Sequence, residues 1–304
     1  MQTSTLGWIG TGRMGFALAD RLASAGVPLG VWNRTKSKAI DLSQRGCVIV
    51  ERASELASCD IVFMILATSK DVDNVIFGEE GLLTGAKAPR IIVDITSIGP
   101  EESSKIRKKL SDRGIQFIAA PVSGNAKVIA SGKLSVVASG PEVAFKEVEP
   151  YLRMFGQSVS YLGESEQARI AKICHNVMLG VVTQNLAEIL ILAEKTGLNR
   201  HDFLTFLNSS VMGSMFTRYK SPSLCNLDFE VTFTPELMLK DMDLGLTLAR
   251  SHGVPMPTTV ITREQVQTLI GNGYSNDFSQ LILLEASASG VNLDPDPRKI
   301  DDGL

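Results

Sequence analysis

Lys172 and Asn176 stand four residues apart in "ARIAKICHNVMLGVVTQNLAEILILAEKTG", Ala168 to Gly197. The stretch reads as one long helix, without Pro, with Gly180 inside it and with Lys195 in the turn before the Gly197 stop. Apolar residues cover most of its circumference, which predicts burial, with Cys174 as a small buried hydrophobe. A lysine is out of place there unless something pairs with it. Positions i and i+4 share a helix face, and Gly180 and Thr183 extend that face as a small or polar stripe. Such a face would admit a ligand. Loss of water lowers a lysine's pKa and suits it to proton transfer. Asn176 would then fix the lysine or hydrogen-bond a substrate. A structural lysine snorkelling from the helix start fits the same residues. The histidines are His175, His201 and His252. His175 adjoins the pair but projects about 100° away from Asn176 by helical geometry.

A second constellation is "GWIGTGRMG", with Gly10, Thr11, Gly12, Arg13, Met14 and Gly15 forming GxGxxG. It follows a predicted strand and opens a predicted helix, the context that gives the motif a mechanism. Gly10 allows the tight turn, Gly12 lets backbone approach a pyrophosphate, and Gly15 lets the helix pack closely. Amides at the helix start would hold the phosphates. The next predicted strand ends in "VWNRTKSKA". Asn33, Arg34, Thr35 and Lys38 stand where an NAD site places a carboxylate for the ribose hydroxyls. With no acid there and Arg34 able to fork onto a 2′-phosphate, NADP(H) is expected over NAD(H). A solvated basic turn would look the same.

The elements that must position these residues fall into two halves. "TLGWI", "LGVW", "DIVFMI" and "IIVDI" read as strands buried on both faces, alternating with helical patterns such as "FALADRLASAG". "IQFIAA", "KLSVVASG" and "SVSYLG" follow, with a helix at "PEVAFKEVEPYLRMF". This is the grammar of a doubly wound α/β sheet of Rossmann type, placed at residues 1–164. Residues 165–304 read as an all-α domain: the long helix, "RHDFLTFL", "TPELMLKDMDLGLTLARSHG", "PTTVITREQVQTLIGNG" and "DFSQLILLEASASG". The tail "DPDPRKIDDGL" reads as loose.

A formal net charge of −3 argues against a nucleic-acid binder. The cysteines Cys47, Cys59, Cys174 and Cys225 show no metal-ligand spacing and fit a reducing compartment. "MQTSTLGWIG" lacks the pattern of a secretory signal, and Gln184, Asn185 and Glu188 interrupt the long helix as a membrane span. A cytoplasmic protein with no membrane partner and no metal is expected.

Over nearly its whole length the chain resembles the β-hydroxyacid dehydrogenases. The resemblance rests on motifs in the family's order. "GWIGTGRMG" matches the opening glycine signature. "MILATSKDV" resembles the segment that places Leu66 and Ala67 near the coenzyme. "VDITSIGP" resembles V-D-x-S-T-x-x-P, which implies Thr96 and Ser97 beside the nicotinamide. "APVSGNAKVIASGKLSVVASG" resembles the substrate-binding signature, implying Ser123 and Gly124 at a carboxylate-binding turn. "AKICHN" matches K-x-x-x-N, which makes Lys172 the implied catalytic residue and Asn176 its partner. "FTPELMLKDMDL" implies Lys240 at the coenzyme and Asp241 in support.

The resemblance implies hydride transfer between NADP(H) and a small β-hydroxyacid or its semialdehyde, in a homodimer or homotetramer. Ser123, Gly124 and Thr96 would hold the acid group, and Lys172 would donate the proton. The lysine face, glycine loop and substrate turn are expected to converge on one cleft. Imine-reducing relatives and catalytically silent coenzyme binders on the same fold generally lack this lysine. The chain departs from the family with Ala119 for Asp, Asn125 for Gly, Ala168 for Gly and His175 for Asn. Asn125, with Lys127, would read an added polar or anionic group on the substrate.

Overall fold

The computed structural model describes residues 5–304. Short apolar runs, mostly buried on both faces, form parallel strands. β1 (Leu6–Ile9), β2 (Leu29–Trp32), β3 (Val48–Ile49), β4 (Ile61–Met64), β5 (Ile91–Asp94) and β6 (Gln116–Ala119) pair in the order β3-β2-β1-β4-β5-β6. Strand order reverses at β1 and β4, the point where crevices open beyond the strands' carboxyl ends. α1 (Arg13–Ser24), α2 (Ser69–Phe77) and α3 (Pro100–Ser111) are the main helices between these strands. Ile9, Val62, Met64 and Ile92 pack with Val72, Ile76, Ile106 and Leu110 in one core cluster. Trp8 and Phe63, their strand neighbours, stack at 6.0 Å between ring centroids, with Phe155 edge-on to both. A second sheet joins β7 (Val122–Ser123) antiparallel to β8 (Leu134–Ala138), and β8 parallel to β9 (Gly156–Tyr161). α4 (Ala126–Ala130) and α5 (Glu142–Arg153) lie between these strands in the chain.

α6 (Gln167–Lys195) is continuous, and the chain divides inside it into two compact units, one ending at Lys172 and one beginning at Ile173. The expected boundary at 164/165 marks the change from strand to helix. The first turn of α6, however, is bonded into the sheet unit. Ala168 N donates to Ser139 Oγ at 3.2 Å, and Arg107 reaches Glu166 at 2.8 Å and the Phe117 carbonyl at 2.7 Å.

The second unit adds α7 (Arg200–Ser209), α8 (Met215–Cys225), α9 (Pro235–Ser251), α10 (Pro257–Gly271) and α11 (Leu281–Ala288). Leu186, Ala187, Leu190 and Ile191 of α6 cluster with Leu204, Leu224 and Ile282. A Cβ at Gly180 would stand 3.0 Å from Met238 Sδ, and one at Gly245 would stand 2.3 Å from Val177 Cγ2. Small residues thus let α6 and α9 approach closely. Within this unit Lys220 and Asp277 form a fully buried ion pair at 2.5 Å. Burial alone would raise the Asp277 pKa. Lys220 and the Ser279 donors outweigh that and hold it below the usual carboxylate value.

Three expectations change. α6 would pass as a membrane span by length and composition, yet it is not buried all round: Ile170, Cys174, Met178, Ile189 and Leu192 are exposed. Cys174 is therefore not a core residue. The stripe beyond Asn176 is not open to a ligand, because Gly180 is covered by Met238 and Met242 and Thr183 Oγ1 bonds the Leu179 carbonyl at 2.9 Å. The tail is held rather than loose. Asn226 Nδ2 donates to the carbonyls of Asp296 and Arg298, while Val291, Leu293 and Ile300 pack on the helical core. Arg298 reaches Asp202 and Asn199 and, by its hydrogen bonds, holds the Asp296 carboxyl well below its ordinary range.

Candidate active site

In the sheet unit, the glycine loop is set by close approach. Gly10 has φ +95°, and a Cβ there would lie 2.2 Å from the Ile65 carbonyl oxygen. At Gly15 a Cβ would lie 2.2 Å from the Gly10 carbonyl oxygen. At Gly12 it would meet no described protein atom within 4 Å, so packing imposes no glycine at that position. Trp8 Nε1 holds the Gly10 carbonyl at 2.7 Å. Thr11 is buried, and its hydroxyl has no hydrogen-bond partner among the described residues. An orphaned hydroxyl, an unobstructed glycine and a helix N-terminus fit a dinucleotide's phosphates. Gly12 and Arg13 are exposed and Met14 is half-buried.

Asn33 is spent inside the protein. Its Oδ1 accepts from Thr11 N at 2.9 Å and its Nδ2 donates to the Thr35 carbonyl at 2.8 Å. Its contribution is to the shape of the loop. Arg34, Thr35 and Lys38 are exposed, as a 2′-phosphate site requires. The absence of a nearby acid does not hold, however. Asp71 on α2 lies 3.8 Å from Arg34, held in place by the Thr68 hydroxyl at 2.6 Å. That acid is 37 positions away in sequence, beyond the reach of a local motif.

Leu66 follows β4 and Thr96 follows β5 at the same end of the sheet. Thr96, expected at the substrate's acid group, is buried, and its hydroxyl accepts from Leu66 N at 2.9 Å. Ser97 is half-buried and Ala67 exposed. Asp94, Thr96 and Arg169 share a buried network in which Arg169 Nη2 meets Asp94 Oδ2 at 2.6 Å. Sequence reading passed over Arg169, although a second cation in an apolar helix raises the same question as Lys172.

Ser123 ends β7, half-buried. Gly124 has φ +139°, and a Cβ would meet Val128 Cγ1 at 2.7 Å, so this glycine has a packing reason of its own. Asn125 caps α4, accepting from Val128 N at 3.0 Å. Ala119 is fully buried at the end of β6. Neither departure from the family pattern presents a charge. Lys127 is exposed on α4.

Lys172 is half-buried on α6, and Asn176 is buried one turn further on. In the helical unit Asn176 Nδ2 donates to Asp241 Oδ2, and Asp241 Oδ1 pairs with Lys240 Nζ at 3.0 Å. That fixes Asn176 Oδ1 as an acceptor, and His175 Nδ1 lies 2.9 Å from it. The imidazole therefore carries its proton on Nδ1. The 100° between neighbouring helix positions does not separate these two side chains, because their tips lean together. His201 and His252 sit elsewhere, on α7 and after α9. Among the described residues no group of His, Cys, Asp and Glu is arranged to hold a metal ion.

Residues 5–163 match the family described as the NAD binding domain of 6-phosphogluconate dehydrogenase. Residues 167–284 match the NAD-binding domain of NADP-dependent 3-hydroxyisobutyrate dehydrogenase. Glyoxylate/succinic semialdehyde reductase 2, chloroplastic, from Arabidopsis thaliana is 30% identical over 92% of this chain and 79% of its own length. The solved Mycobacterium tuberculosis 3-hydroxyisobutyrate dehydrogenase with L-serine superposes with a TM-score of 0.82 at 23% identity, covering 93% of this chain and 99% of that one. Psf3 in complex with NADP+ and 2-OPP gives 0.82 at 24% identity, covering 92% and 99%. The chain belongs to the β-hydroxyacid dehydrogenase family and is an NAD(P)-binding oxidoreductase.

The Asn176–Asp241 contact is directly testable. A double-mutant cycle of Asn176→Ala and Asp241→Ala, read by urea unfolding, should give a coupling of about 1 kcal/mol. Strict additivity would show that the two side chains do not meet in solution.

Proposed function

We propose that the protein is an NADP(H)-dependent oxidoreductase interconverting a small β-hydroxyacid and its semialdehyde or keto form. The observation that carries the reading is Lys172 and Asn176 one turn apart on α6, in a chain of this family. The Arabidopsis relative's name supports a small semialdehyde substrate. When bound, NADPH supplies the hydride that the carbonyl carbon receives. Lys172 gives the proton that the carbonyl oxygen gains, and takes it back in the oxidising direction. Asn176, its amide oriented by Asp241 and His175, positions the reacting oxygen. Ser123 and the backbone at Gly124 hold the acid group. Gly10, Gly12 and Gly15 seat the pyrophosphate, with Leu66, Ala67 and Ser97 beside the rest of the coenzyme. Four free cysteines fit a reducing compartment such as the cytoplasm.

NADPH and NADH oxidation against a panel of small semialdehydes and 2-keto acids tests this. Lys172→Ala should bind NADPH within about threefold of wild type and lose about 10²–10⁴ in kcat. A Lys172→Ala variant as fast as wild type would make the lysine structural and the mechanism wrong. If both proteins bind NADPH and neither turns anything over, a catalytically silent binder is the better reading.

Coenzyme choice rests on Arg34, with Asp71 as its competitor. Arg34→Ala should lose the preference for 2′,5′-ADP over 5′-ADP. Asp71→Asn should strengthen that preference about two- to fivefold, the range of an exposed ion pair. Equal binding of both fragments by the wild type would count against NADP(H).

Self-association is the remaining element. Ile170, Cys174, Met178, Ile189 and Leu192 form an exposed stripe at helical spacing on α6, which supports a homo-oligomer. Sedimentation velocity should find a dimer or tetramer at micromolar concentration. A monomer there would remove this part of the reading.

A further inference from the structure

We infer that Arg169 is a positioning residue for the reaction, an inference that rests on Lys172 as the proton donor. Arg169 lies on α6 three residues before Lys172, about 4.5 Å down the helix axis. Its side chain is 1% exposed and its Asp94 partner 0%. All three guanidinium nitrogens are engaged at the end of the sheet where β4 and β5 finish. Nη2 donates to Asp94 Oδ2 at 2.6 Å, Nη1 to the Thr96 carbonyl, and Nε to Ser103 Oγ at 3.2 Å. The other Asp94 oxygen accepts from Thr96 N at 3.0 Å, and the Thr96 hydroxyl accepts from Leu66 N at 2.9 Å. One cation therefore ties the residues after β4, the turn after β5 and the first turn of α3 to the helical turn that carries Lys172.

A buried ion pair is by itself weak evidence for stability. Burying two charges is costly, and replacing a buried pair with apolar groups of similar volume is often neutral or stabilising. A guanidinium adds direction, because its rigid planar fork fixes angles as well as distances. The Thr96–Ser97 turn and Lys172 belong to the same proposed chemistry, in which misplacing a group by 1 Å costs on the order of 10²-fold in rate. Arg169 holds the two in register without touching substrate.

The test is the double variant Arg169→Met with Asp94→Asn. It removes both charges together, leaves no buried charge alone and keeps an amide oxygen for Thr96 N. The expected result is a melting transition near that of the wild type and NADPH affinity within about threefold. kcat should fall about 10- to 100-fold. Exchange of the Leu66 and Thr96 amides in the free protein should quicken by about tenfold or more. Arg169→Lys, whose single ammonium cannot reach all three acceptors, should fall between, and it carries the same comparison if the double variant does not fold. A folded variant with wild-type kcat, or one whose NADPH affinity falls as far as its kcat, would overturn the inference. If the wild type itself reduces no semialdehyde or keto acid, the proposed activity fails, and amide exchange decides alone. Quicker exchange then keeps the brace, and unchanged exchange removes it.

Discussion

The sheet unit is organised around the absence of room for a side chain at Gly10 and Gly15. A methyl group at either position would sit 2.2 Å from a carbonyl oxygen, Ile65 in one case and Gly10 in the other. The end of β1, the end of β4 and the first turn of α1 therefore pack backbone against backbone. That contact fixes where the first-turn amides of α1 lie relative to the strand ends. Trp8 and Asn33 then hold the loop from two sides, through the Gly10 carbonyl and Thr11 N. The same packing places Ile65 and hence Leu66, whose amide bonds Thr96 after β5. A steric constraint at one turn thus spreads along the sheet edge through hydrogen bonds.

Each unit also contains a fully buried acid–base pair near the entrance of a helix that bears candidate site residues. Arg169–Asp94 lies at the start of α6, which carries Lys172 and Asn176. Lys220–Asp277 lies beside the segment leading into α9, which carries Lys240 and Asp241. Asp277 accepts from Thr232 N, Phe233 N and the Thr232 hydroxyl through one oxygen, and from Lys220, Ser279 N and the Ser279 hydroxyl through the other. A carboxylate so fully satisfied offsets its desolvation through many fixed partners. Its structural effect is to hold the backbone just before the Thr234 cap of α9.

How far the sequence spoke depended on whether a signal was local. Apolar runs marked the long strands within a residue or two, and the glycine spacing marked the loop. β3 and β7, two residues each, carry too little pattern to be seen. α8 was missed because its buried side includes Thr217, Lys220, Ser221 and Ser223, and Pro222 interrupts it. Gly180 and Thr183 were legible as a small, polar stripe. Small residues serve a ligand and a neighbouring helix equally, and here α9 fills the space. Asp71 beside Arg34 and Asp94 beside Arg169 are pairings across 37 and 75 positions, which no spacing rule contains.

The three asparagines expected at ligands show where specificity can reside. Asn33 uses its oxygen on Thr11 N and its amide nitrogen on Thr35 O. Asn125 spends its oxygen capping α4. Asn176 gives its amide nitrogen to Asp241, with its oxygen against His175. An amide committed at both ends has a fixed orientation but little capacity left for a varied partner. Asn33 and Asn176 are the two committed at both ends, each with one amide hydrogen and one lone pair left, while Asn125 is committed through its oxygen. Ala119, buried at the end of β6, has no polar group and so adds shape rather than charge there.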